Sequence, residues 1–131
     1  MTTIGLIFVA LAAFIHVYIF VLEALRFDRP STWRVFGVRN EAEAQLMRPW
    51  AFNQGFYNLF LAIGAGVGAA LHGVAQAGSA GSSWGKVLSI YCCAFMLAAA
   101  VVLVASDARK ARAALVQGAA PAIALVFLLL G

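Results

Sequence analysis

A histidine and a glutamate seven residues apart, His16 and Glu23, stand in an otherwise apolar stretch. On a regular α-helix that spacing returns both side chains to one face. An imidazole beside a carboxylate is an inventory for proton transfer: the imidazole titrates near neutral pH, and the carboxylate steadies the charge or exchanges the proton. A second cluster, "NQGFYN", runs from Asn53 to Asn58. Asn53 and Tyr57 are four residues apart, as are Gln54 and Asn58, so the four make one polar stripe on a helix. Gln117 is a lone amide in a further apolar stretch.

These side chains suit the binding of a small amphipathic or lipid-like molecule. Asn53, Gln54, Tyr57, Asn58 and Gln117 would orient it by hydrogen bonds, and His16 and Glu23 would be the catalytic pair. Isomerisation, or protonation of a double bond, fits that set. No cofactor motif is present, so none is expected. One histidine and one glutamate are too few ligands for metal hydrolysis, and a single deep histidine argues against bis-histidine haem. Three other readings compete with binding and catalysis. A His/Glu pair can couple protons to transport, although four helices would need a dimer for alternating access. The polar layer can instead fix the packing of a non-catalytic assembly subunit. Glu23 can also be an interfacial carboxylate that snorkels and pairs with Arg26 at i+3.

The elements that must position these residues follow from composition. The chain has 131 residues, 64% of them hydrophobic and 11% charged, with a mean hydropathy of +0.94. A soluble domain of this size has too little interior for that much apolar surface, so lipid must solvate much of it. The apolar stretches run from Thr3 to Leu25, Pro49 to Leu71, Val87 to Ala105 and Ala113 to Leu130. Each is near the ~20 residues that cross a ~30 Å hydrocarbon core. The first lacks the basic start and cleavage site of a typical signal peptide. The expected fold is an all-α integral membrane protein: one domain over residues 1–131, a bundle of four transmembrane helices, and a short amphipathic segment between helices 1 and 2.

That segment places Trp33 and Phe36 beside Arg34, a composition suited to headgroups. Asn40 can cap a short helix there, with Glu43 completing a capping box. The stretch "AQAGSAGSSWG" reads as a flexible linker. Depth is countable at a rise of about 1.5 Å per residue, which sets His16 about 15 Å deeper than Arg26 and Tyr57 and Asn58 about 12–15 Å beyond Pro49. Glu23, Asn53, Gln54 and Gln117 then fall in the cytoplasmic third, and His16, Tyr57 and Asn58 in the middle. Polar groups at such depths should face the bundle interior. That layer would line a pocket open toward the cytoplasmic side.

Smaller features complete the reading. Gly64 and Gly68 form G-x-x-x-G, which serves close packing within the bundle or a homodimer. Pro121 should kink the fourth helix near Gln117. Cys92 and Cys93 are adjacent, which strains a disulfide, and read as packing residues. Asp107 with Arg109 and Lys110 reads as a helix-end charge cluster, Trp84 and Tyr91 as interfacial aromatics, and His72 as solvated. The net charge of +4 does not indicate nucleic acid, because the basic residues sit in inter-helix segments rather than on one face.

Taken together, His16 and Glu23, "NQGFYN" with "LA" after it, and "QGAAP" from Gln117 to Pro121 resemble a family of small bacterial integral membrane proteins known as domain of unknown function 1304. The resemblance covers nearly the whole chain and implies a four-helix membrane domain. It brings no established activity. A similarity to DoxX-like four-helix proteins is one of architecture only.

The basic residues also set an orientation. Arg26, Arg29, Arg34, Arg39, Arg48, Arg109, Lys110 and Arg112 lie on one side and Lys86 alone on the other. Lys and Arg are retained in the cytoplasm, so a multi-pass protein of the inner (plasma) membrane with both termini outside is expected. In a variant lacking Cys92 and Cys93, a cysteine at position 2 should react with an impermeant thiol reagent added outside the cell, and one at position 40 should not. The opposite pattern overturns the orientation.

Overall fold

A computed structural model describes residues 2–131. Its elements are α1 (Thr2–Phe20), a π-helical turn (Val21–Leu25), α2 (Pro30–Phe36), α3 (Glu41–Val74), α4 (Ala80–Ser106), a 3₁₀ turn (Ala108–Lys110) and α5 (Ala111–Leu130). The described residues contain no strand, and four helical segments are long and apolar enough to cross a membrane. The all-α membrane class expected from composition holds. The chain divides into two compact units, one of Met1–Ile15 with Leu61–Gly131 and one of His16–Phe60.

The first unit is a four-helix bundle built on small side chains. Its core takes Val9 and Ala12 from α1, Ala65 from α3, Cys92, Cys93 and Met96 from α4, and Ala120, Ala124 and Leu128 from α5. Lipid tails are as apolar as leucine, so association of membrane helices rests on close van der Waals approach rather than on the hydrophobic effect. A Cβ on Gly68 would lie 2.7 Å from Ser89 Oγ and 2.8 Å from Ser89 N, and one on Gly64 would lie 2.8 Å from Cys92 Sγ. The G-x-x-x-G face is therefore occupied by α4 of the same chain. Cys92 and Cys93 are free and buried, as packing residues should be.

Several boundaries differ from the sequence expectation, each for a local reason. α3 starts at Glu41 rather than Pro49, because Asn40 Oδ1 accepts from Glu43 N at 2.9 Å and starts the long helix itself. Glu43 Oε2 reaches back to Arg39 N at 2.9 Å, a capping box displaced by one residue. Pro49 becomes an internal residue that lacks the N–H for its helical bond. At about 1.5 Å per residue α3 is longer than the hydrocarbon is thick, so its charged start lies beyond the apolar part. The linker expected over "AQAGSAGSSWG" shrinks because Ser79 Oγ caps α4 by accepting from Ser82 N, and Gly78 turns the chain with φ 77°. His72 is not solvated. Its Nδ1 lies 2.8 Å from the Ser82 carbonyl oxygen and 3.0 Å from the Ser82 hydroxyl. Its Nε2 is buried with no hydrogen-bond partner among the described residues.

The helix-end cluster is as expected. Arg109 Nε and Nη2 donate to the two oxygens of Asp107, each at 3.0 Å, and Arg109 N donates to Oδ1. Those bonds, the side-chain ones first, hold the Asp107 carboxyl below its ordinary range. Trp84 and Tyr91 are exposed, as interfacial aromatics would be.

The tightest contact predicts a stability effect. A Cβ on Gly85 would overlap the His72 backbone nitrogen and lie 2.7 Å from the Gly68 carbonyl oxygen. Backbone cannot give way as a flexible side chain can, so Gly85→Ala should destabilise by about 1–3 kcal/mol. Gly66, with nothing within 4 Å of its Cβ position, should gain up to about 1 kcal/mol as Gly66→Ala. Thermal unfolding in a mild detergent checks the contrast. Equal effects at both positions would contradict the packing described.

Candidate functional site

The unit His16–Phe60 carries most of the polar residues singled out above. The regular helix does not run to Leu25: α1 ends at Phe20, and the next five residues, Val21–Leu25, form a π turn with Glu23 at the centre. Such turns are rare and frequently lie at functional sites. A π turn uses more residues than an α turn, so a seven-residue spacing no longer aligns two side chains across it. It also removes the i,i+3 relation on which pairing of Glu23 with Arg26 depended. Arg26 itself leaves the helix with φ −127°. No Glu23–Arg26 ion pair forms.

The function of the glycine in "NQGFYN" follows from its neighbours. A Cβ on Gly55 would sit 3.0 Å from Ala24 Cβ, 3.1 Å from Ala24 N and 3.2 Å from Glu23 Cβ. A side chain at this position would crowd the π turn, and its neighbours would have to give by a few tenths of an ångström. One turn further along α3, Asn58 Nδ2 donates to Glu23 Oε2 at 2.8 Å and to the Gln54 carbonyl oxygen at 3.2 Å. Both amide hydrogens are thereby used, and the orientation of the Asn58 amide is fixed. Glu23 Oε1 takes no hydrogen bond from any described residue. Phe20 packs edge-on against Phe56 with ring centroids 5.2 Å apart, and Phe56 continues a row of rings with Phe52 and Phe60.

The segment between the helices folds onto itself. Trp33 Nε1 donates to the Phe27 carbonyl oxygen at 2.6 Å, and Phe27, Val38 and Ala44 form a small core with Trp33, Phe36 and Ala51 around it. Gly37 ends α2 with φ 73°, a conformation that suits glycine.

Two clefts meet at Glu23. The first, about 140 Å³, is lined by Glu23, Asp28, Arg48, Phe27 and Phe52 together with Ala24 and Leu25. The second, about 290 Å³, is lined chiefly by Glu23, Asn53, Gln54, Phe36, Met47 and Trp50. One wall is charged and the other is aromatic and apolar, with two amides set in it.

The expected stripe is therefore split. Glu23, Asn53, Gln54 and Asn58 come together. Tyr57 does not: it is 59% exposed and lines neither cleft, because its position on α3 turns it away from the π turn. The expectation that all four stripe residues face the interior is corrected: Asn58 alone is half-buried, and the other three are exposed. Asn53 and Gln54 are also exposed, but onto the second cleft. His16 is 1% exposed, is not without a partner, and lines neither cleft. Gln117 belongs to α5 of the other unit, where it is half-buried. Among the described residues no group of three or more His, Cys, Asp or Glu is placed to hold a metal ion.

Asp28, Arg48, Phe27, Met47 and Trp50 were not singled out as site residues from the sequence. Trp50 follows Pro49 and reads as a membrane anchor, and the charged residues read as linker. The one available signal was their clustering at the two ends of the segment between the first two apolar stretches. No curated protein and no solved structure matches the chain. A family model matches over residues 10–129, and on that match the chain belongs to the protein family of unknown function DUF1304.

Proposed function

We propose that this multi-pass membrane protein binds a small amphipathic molecule at the Glu23 clefts, with its head toward Asp28 and Arg48 and its apolar part against Trp50, Met47 and Phe36. The observation that carries this reading is the placing of Glu23. One carboxylate oxygen is held by Asn58, and the residue stands in the wall of a charged cleft and of an aromatic one.

Glu23 lies at the end of its span, where an amide or an aliphatic residue would pack without an acidic group to accommodate. The second cleft, at about 290 Å³, is close to the ~300 Å³ lower end of small-molecule sites.

In this reading Asn53 and Gln54 orient the ligand and Asn58 positions the carboxylate. Glu23 is the group able to exchange a proton with what is bound, which keeps acid–base chemistry such as isomerisation within reach. Binding itself does not call on His16. The reading includes the orientation set by the basic residues, with the clefts and the segment between α1 and α3 on the cytoplasmic side of the inner membrane. One observation favours a subunit role in an assembly instead: Tyr57 carries a hydroxyl on the exposed side of α3.

The test fills the larger cleft. Asn53 is exposed, so Asn53→Trp should fold normally while its ring occupies the space beside Trp50. Protein extracted in a mild detergent should retain a co-purifying amphiphile in native mass spectrometry. Asn53→Trp should weaken that retention about tenfold, a change of about 1.4 kcal/mol. Its thermal midpoint should stay close to that of the parent. Equal retention in both proteins would remove the cleft from the function.

A further inference from the structure

Glu23 and Phe27 are the two residues that line both clefts. Phe27 is apolar, so Glu23 alone can pass a proton from one space to the other. The two spaces differ in what they can hold. The first, about 140 Å³, has room for several water molecules, and a buried water needs about two to four polar partners. Glu23, Asp28 and Arg48 supply them. Asp28 and Arg48 are exposed and Glu23 is half-buried, so this space leads inward from the protein surface. The second cleft has no titratable side chain besides Glu23 among its lining residues. Its polar groups are the amides of Asn53 and Gln54, which do not titrate, and Trp50, Met47 and Phe36 offer water little to bond. Asn58 spends both amide hydrogens and does not titrate either. The charged and titratable groups on the walls around Glu23 are thus Asp28, from the segment after the π turn, and Arg48, from α3.

We propose that the first cleft is a water-filled path by which Glu23 exchanges its proton with the aqueous phase beside Asp28 and Arg48, while the amphiphile meets the same carboxyl from the second cleft. A proton leaving the Glu23 carboxyl passes to the nearest water. Each water hands one proton on, until one reaches the Asp28 carboxylate or bulk solvent. Uptake runs the same steps backward, and nothing else is consumed. The Arg48 guanidinium stays protonated and serves only to hold the water. The head group points toward Asp28 and Arg48 across this water, and Glu23 can be reloaded while the second cleft is occupied. The inference rests on the amphiphile-binding reading above for the partner with which Glu23 exchanges its proton.

Infrared spectroscopy reads the exchange. The carbonyl stretch of a protonated carboxyl shifts when its hydrogen is replaced by deuterium, and the Glu23 band is the one that Glu23→Gln removes. The protein in nanodiscs is brought to a pH at which that band is present and is moved into heavy-water buffer at the same acidity. The band should shift within the mixing time. Leu25→Trp, at an exposed position that lines the first cleft, should slow the shift about tenfold or more, because the ring displaces the waters. Asp28→Phe fills the same cleft from an exposed loop position and should do likewise, so the result does not hang on one variant. Asn53→Trp, in the second cleft, should leave the rate unchanged. A parent band that stays unshifted, no Glu23 band at any pH where the protein is folded, or an unchanged rate in both first-cleft variants overturns the inference, as does slowing by Asn53→Trp. Native mass spectrometry of the same proteins separates the path from the amphiphile site. Leu25→Trp should retain the co-purifying amphiphile as the parent does. Its loss there gives the first cleft to the head group and overturns the path, leaving the amphiphile site standing. Fast exchange in a parent that retains no amphiphile sinks the amphiphile site and leaves the path.

Discussion

The hydrogen bond from Asn58 Nδ2 to Glu23 Oε2 depends on how closely α3 approaches the end of α1, and that approach depends on a missing side chain. With any other residue at position 55, Cβ would lie 3.0–3.2 Å from Ala24 and Glu23, and those neighbours would have to give by a few tenths of an ångström. The π turn at Val21–Leu25 is the other half of the same arrangement, because it carries Glu23 at its centre and ends the helix at Arg26. The clefts on either side of Glu23 follow. Their walls are what lies next to this contact: the start of the loop at Phe27 and Asp28, and the first turns of the apolar part of α3.

The two units divide the work of the chain by composition. The bundle of the first unit is closed by glycine, alanine, serine and cysteine, and its helices approach until backbone touches backbone at Gly68 and Gly85. Such packing leaves little space and few polar groups. The second unit packs with phenylalanine, tryptophan and amides, which leave gaps between bulky shapes, and its charged residues remain at the surface of those gaps. A site is more readily built on the second kind of packing than on the first.

Much of this was legible from residue types. Four apolar stretches of about membrane length, an amphipathic segment at "TWRVF", a capping pair at Asn40 and Glu43, and packing cysteines all correspond to observed features. The hydrogen bond between Glu23 and Asn58 joins two of the polar residues singled out from the sequence, because polar side chains in an apolar helix must find company. Tyr57 was misplaced because i,i+4 spacing groups residues into a stripe without saying which edge of it faces a neighbour. His16 was paired with Glu23 through a seven-residue spacing that assumes a regular helix. Nothing in "VLEAL" announces a π turn. The start of α3 was set too late because Pro49 is a good first helical residue, yet the cap at Asn40 comes earlier in the chain and was available to extend the helix.

The most direct test of the account is an experimental structure of the protein in lipid nanodiscs, resolved well enough to place side chains between Val21 and Asn58. The account predicts a π turn over Val21–Leu25, Asn58 Nδ2 within about 3 Å of a Glu23 carboxylate oxygen, and non-protein density reaching from Glu23 along Trp50. A continuous α-helix through Leu25, with Glu23 paired to Arg26 and side chains of the protein filling both clefts, would contradict it.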